Sequence, residues 1–180
     1  IEEAAYRTME DWHKWWNEGI RTFCKKDAPG AYGGYYTQDE VRDLVAYAAA
    51  RHITVIPEIE MPGHSNEVLW AYPSLACEGK VHGQSDFCVG KDSTYQFLKD
   101  VLYEVMDLFP SSYIHIGGDE AGRKTWETCP DFQREMQAND LKTTAELQGH
   151  FTEKMEQFLN AHGRKLMGWE EIMEGKLAPN

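Results

Sequence analysis

The sequence predicts an α/β fold, and three observations carry that reading. Amphipathic helical stretches alternate with short β-branched apolar runs, the helix-to-strand turns are short, and the strand-to-helix loops are long and hold the chemically active residues. In such folds function sits at the C-terminal ends of parallel strands.

Each element has its own signal. Thr37-Gln38-Asp39-Glu40 is a capping-box pattern, followed by Val41, Leu44, Val45 and Ala48 at helical spacing as far as Arg51-His52. Ile53-Thr54-Val55-Ile56 then reads as a strand ended by Pro57, buried on both faces in a parallel sheet. A second helix starts near Asp92-Ser93, carries Phe97, Val101, Leu102, Val105 and Leu108, stops at Pro110, and leads into the strand Tyr113-Ile114-His115-Ile116. Thr143-Thr144-Ala145-Glu146 opens a third helix through Leu147, Phe151, Met155, Phe158 and Leu159, closed by Gly163 before Lys165-Leu166-Met167-Gly168-Trp169.

Three helix-then-strand units fit a piece of a (β/α)8 barrel and equally a doubly wound sheet, since neither a Gly-rich phosphate fingerprint nor a strand order is visible. A complete barrel needs about 200 residues or more for its eight units, so as a barrel this chain is incomplete. Trp12, Trp15 and Trp16 lie at helical spacing within Ile1 to Gly34 and predict a short helix packing on it.

Composition excludes several functions. A formal net charge of −12 repels phosphate backbones and anionic membrane surfaces, which speaks against nucleic acid or membrane as partner. No apolar run approaches the length of a membrane span. The four cysteines, Cys24, Cys77, Cys88 and Cys129, form no CxxC pair and have no His at ligand spacing, so a structural zinc site is not expected. Cys77 and Cys88 flank the polar stretch Glu78 to Phe87 and could close it as a bridged loop; four free thiols is the alternative.

Three constellations carry chemistry, each at a strand end. His115-Ile116-Gly117-Gly118-Asp119-Glu120 places two glycines, which allow a sharp turn and room for a ligand, before two adjacent carboxylates. Alone, an Asp-Glu pair is ordinary surface; its place at a strand end gives it meaning. Pro57-Glu58-Ile59-Glu60-Met61-Pro62-Gly63-His64-Ser65 fixes a loop with two prolines and a glycine, holding Glu60 near His64, a pair able to set a tautomer and tune a neighbouring acid. Gly168-Trp169-Glu170-Glu171-Ile172 offers an indole wall of the kind sugars and acetyl methyls pack on, although a core Trp would look the same.

In this order and at these spacings, the three segments resemble motifs of family 20 β-N-acetylhexosaminidases; Tyr35-Tyr36-Thr37-Gln38 and Tyr72-Pro73-Ser74-Leu75 resemble connecting segments. The resemblance implies a TIM barrel, of which residues 1–180 form a partial catalytic domain, about strands 3 to 5. It implies hydrolysis of terminal β-linked N-acetylhexosamine from an oligosaccharide or glycoconjugate, retaining and substrate-assisted. Glu120 is then general acid and later base, and Asp119 the anion that orients the acetamido group. Glu60 and His64 tune the pair, His115 positions it from below, and Trp169 with Glu170 binds substrate. The two reacting carboxyls would need pKa values pushed apart. No cofactor is implied, and the compartment expected is extracellular, periplasmic or lysosomal. The chain has Glu60 and Glu170 where the family often has Asp. Family groups from early and late strands that grip the sugar do not occur in it, so the isolated chain is expected to be a poor enzyme and to self-associate, with the barrel-facing sides of Ile53, Val55, Ile114 and Ile116 exposed.

Two readings compete. In one, Glu60, His64, His115 and Asp119 ligate a cation in a metal-dependent hydrolase. In the other, a non-catalytic homologue binds N-acetyl sugars without turnover. The reacting site in the leading reading makes a geometric demand: His64 and Glu120 must approach each other across neighbouring strand ends.

Overall fold

A computed structural model describes residues 4–80 and 85–175. The first turn of chain pairs β1 (Tyr6–Arg7) antiparallel with β2 (Tyr32–Gly33), and between them lies α1 (Met9–Glu18). Then come α2 (Gln38–Ala49), α3 (Asn66–Ala71), α4 (Asp92–Leu108), β3 (Tyr113–His115), α5 (Pro130–Ala138), α6 (Thr144–Ala161) and β4 (Lys165–Met167). Strands β3 and β4 pair in parallel, Ile114 opposite Leu166, with α5 and α6 in the crossover. The described residues form this α/β arrangement and no closed barrel.

The expected helices form where their caps stand. Thr37 and Thr143 are the N-caps of α2 and α6, each accepting from the backbone N–H three residues on while Glu40 or Glu146 reaches back. On α4, Leu98, Leu102 and Val105 turn inward; on α6, Leu147, Phe151, Met155 and Leu159 do, and both rows join one core with Ile114 and Ile116. The long loops contain two helices that periodicity did not single out, α3 and α5.

The first expected strand lies elsewhere. Residues 53–56 are not in a strand, and the ladder beside β3 begins at Pro57: His115 N–H donates to Pro57 O (2.9 Å), Ile59 N–H to His115 O (2.9 Å) and Met61 N–H to Ile116 O (2.9 Å). Proline explains where it stops, because the next rung toward the N-terminus needs an N–H that Pro57 lacks. Tyr113 N–H, which a longer ladder would direct at the carbonyl of Val55, donates instead to Ser111 Oγ at 3.1 Å. Ile53 and Ile56 consequently stay exposed rather than buried on both faces.

The alternation on β3 also differs from expectation. Ile114 and Ile116 are fully buried against the helices, whereas Tyr113 and His115 take the opposite face. Ile114 and Ile116 are therefore not the exposed barrel-facing residues; that face carries Tyr113, His115, Met167 and Trp169, the last three of them chemically useful or soft.

Helix α1 forms as expected but buries none of its residues. Its indoles are met by cations: the Arg21 guanidinium lies 4.5 Å over Trp15 and that of Arg7 5.2 Å over Trp12. Both arginines pair with Glu67 of α3, which fastens the N-terminal segment beside the His64 loop.

Cys77 is bridged to Cys129, not to Cys88. The bridge ties the loop after the first ladder segment to the N-cap of α5 across a sequence separation of 52, a longer-range connection than the local loop expected. Beside it Trp126 is buried, stacks on Phe132 at 5.0 Å and donates its indole N–H to Asp86 at 3.0 Å. Residues 81–84 within that loop lie outside the described residues, as do 176–180, where the family resemblance places the lead into a further strand. Among the described residues no helix is long and apolar enough to cross a membrane.

Candidate active site

Three extended segments run side by side in one direction, 57–61, 113–117 and 165–169, joined by the rungs above and by Ile116 N–H to Met167 O (2.9 Å) and Trp169 N–H to Gly117 O (2.8 Å). Their C-terminal ends therefore share one rim, and the three sequence constellations meet there.

Two glycines make the meeting possible. Gly117 and Gly118 have φ of 67° and 93°, a region open to glycine, and a Cβ on Gly117 would overlap the Glu60 carboxylate while one on Gly118 would overlap Ile172. The carbonyl of Gly118 accepts from the buried Gln148 side chain of α6 at 2.6 Å, which anchors the turn from behind.

Past this turn Asp119 and Glu120 face the loop of the preceding segment. His64 Nε2 lies 3.3 Å from Glu120 Oε2, so the approach expected of these two residues is found. The other ring nitrogen, Nδ1, lies 3.7 Å from Glu60 Oε2 and 4.0 Å from Asp119 Oδ2. One imidazole thus stands among three carboxylates. His64 and Glu120 both hold positive φ, 50° and 49°, conformations that non-glycine residues adopt at a cost and mostly where a site demands them.

The electrostatics follow from burial. Desolvation, with the neighbouring Asp119 charge as second cause, pushes the Glu60 carboxyl from its ordinary 4.5 up to about 7. Near neutral pH Glu60 is therefore partly a neutral acid, and the rim holds less negative charge than its sequence suggests. Asp119 Oδ1 is buried and accepts no hydrogen bond from the described residues, which leaves it ready for a ligand donor.

His115 and Trp169 sit beside this cluster rather than in it. His115 Nδ1 lies 3.1 Å from Glu58 Oε1, the Trp169 indole N–H donates to the same oxygen at 3.0 Å, and the two rings meet edge to face at 5.0 Å. His115 therefore reaches the acids through backbone: Gly117 N–H points at its Nδ1 at 3.1 Å. Glu170 is exposed at the start of the short 3-10 turn Glu170–Met173, and its side chain makes no hydrogen bond or ion pair among the described residues. Of the four residues of the cation reading, Glu60, His64 and Asp119 bring ligand atoms within 4.8 Å of one another, while His115 stays with Glu58.

Glu58 is the residue that sequence reasoning passed over. Its signal was present: Glu58 and Glu60 are two apart, so a strand would place both on one face, opposite Ile59. Reading Pro57 as the strand's end turned that alternation into a loop.

Comparison with known proteins gives the family. The profile for glycosyl hydrolase family 20, catalytic domain, matches residues 2–180. A β-hexosaminidase of Porphyromonas gingivalis is 50% identical over 157 residues, covering 83% of this chain and 20% of that protein. Among solved structures, a β-N-acetylhexosaminidase from Bacteroides fragilis superposes with a TM-score of 0.77 at 43% identity, covering 85% of this chain and 31% of that one. An exo-β-N-acetylglucosaminidase from Vibrio harveyi, solved with N-acetylglucosamine, gives a TM-score of 0.80 at 34% identity and covers 97% of this chain and 28% of that one. The chain thus spans between a fifth and a third of the length of these relatives. By profile, sequence identity and superposition, it belongs to glycosyl hydrolase family 20, as a part of that family's catalytic domain.

Proposed function

We propose that residues 1–180 are part of the (β/α)8 catalytic barrel, about strands 3 to 5, of an exo-acting β-N-acetylhexosaminidase. The substrate is an oligosaccharide or glycoconjugate ending in β-linked N-acetylglucosamine or N-acetylgalactosamine. The convergence of His64 with Asp119 and Glu120 at one rim, 4.0 Å and 3.3 Å away, is the observation that carries the reading.

The chemistry proceeds in two steps. In the first, Glu120 as a neutral acid gives its proton to the glycosidic oxygen, the bond from that oxygen to the anomeric carbon breaks, and the substrate's acetamido carbonyl oxygen bonds to the anomeric carbon. Asp119 accepts the acetamido N–H, aiming the carbonyl and balancing the positive oxazolinium. Its unpartnered buried oxygen supports that role. In the second step Glu120, now a carboxylate, takes a proton from water as the water oxygen attacks the anomeric carbon, and the ring opens with retention. Two inversions at one carbon give the retained product.

The surroundings assist. His64, held in reach of Glu120, orients the carboxyl; Glu60, with its raised pKa, lowers the charge that Asp119 would otherwise meet. Trp169, exposed on the rim face, supplies an apolar wall for the acetamido methyl, and Glu170 lies at the same rim.

The nearness of Glu60, His64 and Asp119 favours a second reading, a cation held by these three. One experiment separates the two: turnover by the full-length protein of an aryl N-acetylglucosaminide and of the plain glucoside, with and without a chelator. Chelator-insensitive hydrolysis confined to the N-acetyl sugar is expected; loss of activity with chelator, or equal rates on both sugars, would defeat the proposal.

A further inference from the structure

We infer that Glu58 is a positioning residue, whose carboxylate fixes the Trp169 indole and the His115 ring against each other and so sets the wall of the acetamido pocket. This rests on the reading of Trp169 as that wall. Three elements supply the members: Glu58 comes from the segment beside β3, His115 from β3 itself, and Trp169 from the end of β4.

Geometry makes the carboxylate the hub. A single oxygen, Glu58 Oε1, lies 3.0 Å from Trp169 Nε1 and 3.1 Å from His115 Nδ1. An indole can only donate, so its plane is held as long as an acceptor stands at that point. Trp169 is about half exposed, so packing alone does not choose its rotamer; the hydrogen bond and the edge contact with His115 do.

The second arm of the hub is the contact with the His115 ring at 3.1 Å. Nδ1 of His115 can serve Glu58 only when it carries the proton, and can accept from Gly117 N–H only when it does not. The hydrogen bond from Gly117 N–H marks the second state, in which Glu58 stands beside the His115 ring while its hydrogen bond is with Trp169. The Gly117 carbonyl accepts from the backbone N–H of Trp169 at 2.8 Å, and Gly117 leads directly into Gly118-Asp119-Glu120. Glu58 therefore acts on the wall, through the indole and the His115 ring, and does not itself reach the acids.

A purely structural role is a poor account of this residue. The Glu58 side chain is 41% exposed, so core packing does not require it, and a leucine of similar size could replace it without a cavity.

The test uses the full-length protein with Glu58→Leu and Glu58→Gln. Loss of the acceptor in Glu58→Leu should raise KM for an aryl N-acetylglucosaminide about tenfold, a fold-change typical of one hydrogen bond to a charged group, with kcat changing less than about twofold. Glu58→Gln keeps an oxygen for the indole N–H and should recover most of that loss. The indole N–H resonance of Trp169, assigned by its disappearance in Trp169→Phe, should move upfield in Glu58→Leu and stay near its place in Glu58→Gln. A structural role would lower the folded fraction, reducing kcat at unchanged KM. That pattern, or an indole resonance unmoved in Glu58→Leu, would overturn the inference. If the protein hydrolyses no N-acetylhexosaminide at all, the proposed function fails, while the indole resonance still decides for or against the hold of Glu58 on Trp169.

Discussion

His64 and Glu120 meet at 3.3 Å although 56 residues separate them, and both do so with positive φ. Two neighbouring loops each spend backbone strain to bring an imidazole to a carboxyl, which marks the contact as one the fold maintains for a purpose other than stability.

Relief of that strain should therefore trade activity for stability. Asn tolerates the left-handed region better than Glu, so Glu120→Asn relieves part of that strain. In the full-length protein the variant is expected to gain about 0.5–1 kcal/mol, read as a higher Tm, while hydrolysis is lost. Thermal unfolding and an activity assay check both halves; a lower Tm would show that the Glu120 conformation is not strained.

The raised pKa of Glu60 has a definite sign in stability. Between its ordinary value of 4.5 and about 7 the folded chain binds a proton on Glu60 that the unfolded chain has released. Stability from this group therefore falls as pH rises through that window and is lowest above it. Glu60→Gln, which is neutral throughout, should remove this part of the pH dependence, gaining more relative to the unmodified protein at pH 8 than at pH 5. Denaturant unfolding at the two values decides; an equal gain at both would place the pKa of Glu60 near 4.5.

The disulfide prediction concerns connectivity. Non-reducing digestion should recover Cys77 joined to Cys129, and Cys77→Ser should cost about 2–4 kcal/mol of stability through the lost loop closure. Cys88→Ser should leave the bridge intact, since burial pushes the Cys88 thiol up to about 11 and keeps it protonated and unreactive. A Cys77–Cys88 peptide would contradict the structure and restore the local loop that spacing suggested.

How much of this was legible in sequence depended on range. The capping boxes at Thr37 and Thr143 are local chemistry, and both helices begin where they stand. That Asp119 and Glu120 would meet Glu60 and His64 was legible because both segments follow apolar runs and leave the same rim, although the first run was placed too early. The strand at 53–56 was misplaced because its β-branched residues speak for propensity, whereas the ladder is set by which N–H groups exist, and Pro57 has none. His115 and Trp169 fell beside the acids rather than against them because Glu58 holds them, and that contact crosses 111 residues. The bridge was out of reach for the same reason: spacing carries no information on a pairing made by the fold.

The exposed residues Ile53, Ile56, Met167 and Trp169 and the outer sides of the 57–61 segment and β4, unpaired among the described residues, predict that the 180-residue chain alone self-associates. Light scattering of the purified chain should show species larger than a monomer at micromolar concentration. A monodisperse monomer would mean that these edges and side chains are covered in a way the described residues do not provide.

The roles assigned to the two acids are tested most directly by the dependence of rate on leaving group, measured in the full-length protein with Glu120→Gln and Asp119→Asn. Loss of the proton donor should slow a substrate with a poor leaving group far more than an activated aryl N-acetylglucosaminide, by about 10²-fold or more in the ratio. Asp119→Asn, which weakens the oriented acetamide and its charge balance, should slow both substrates to a similar degree. Equal losses on both substrates for Glu120→Gln, or a strong leaving-group dependence in Asp119→Asn, would contradict the account.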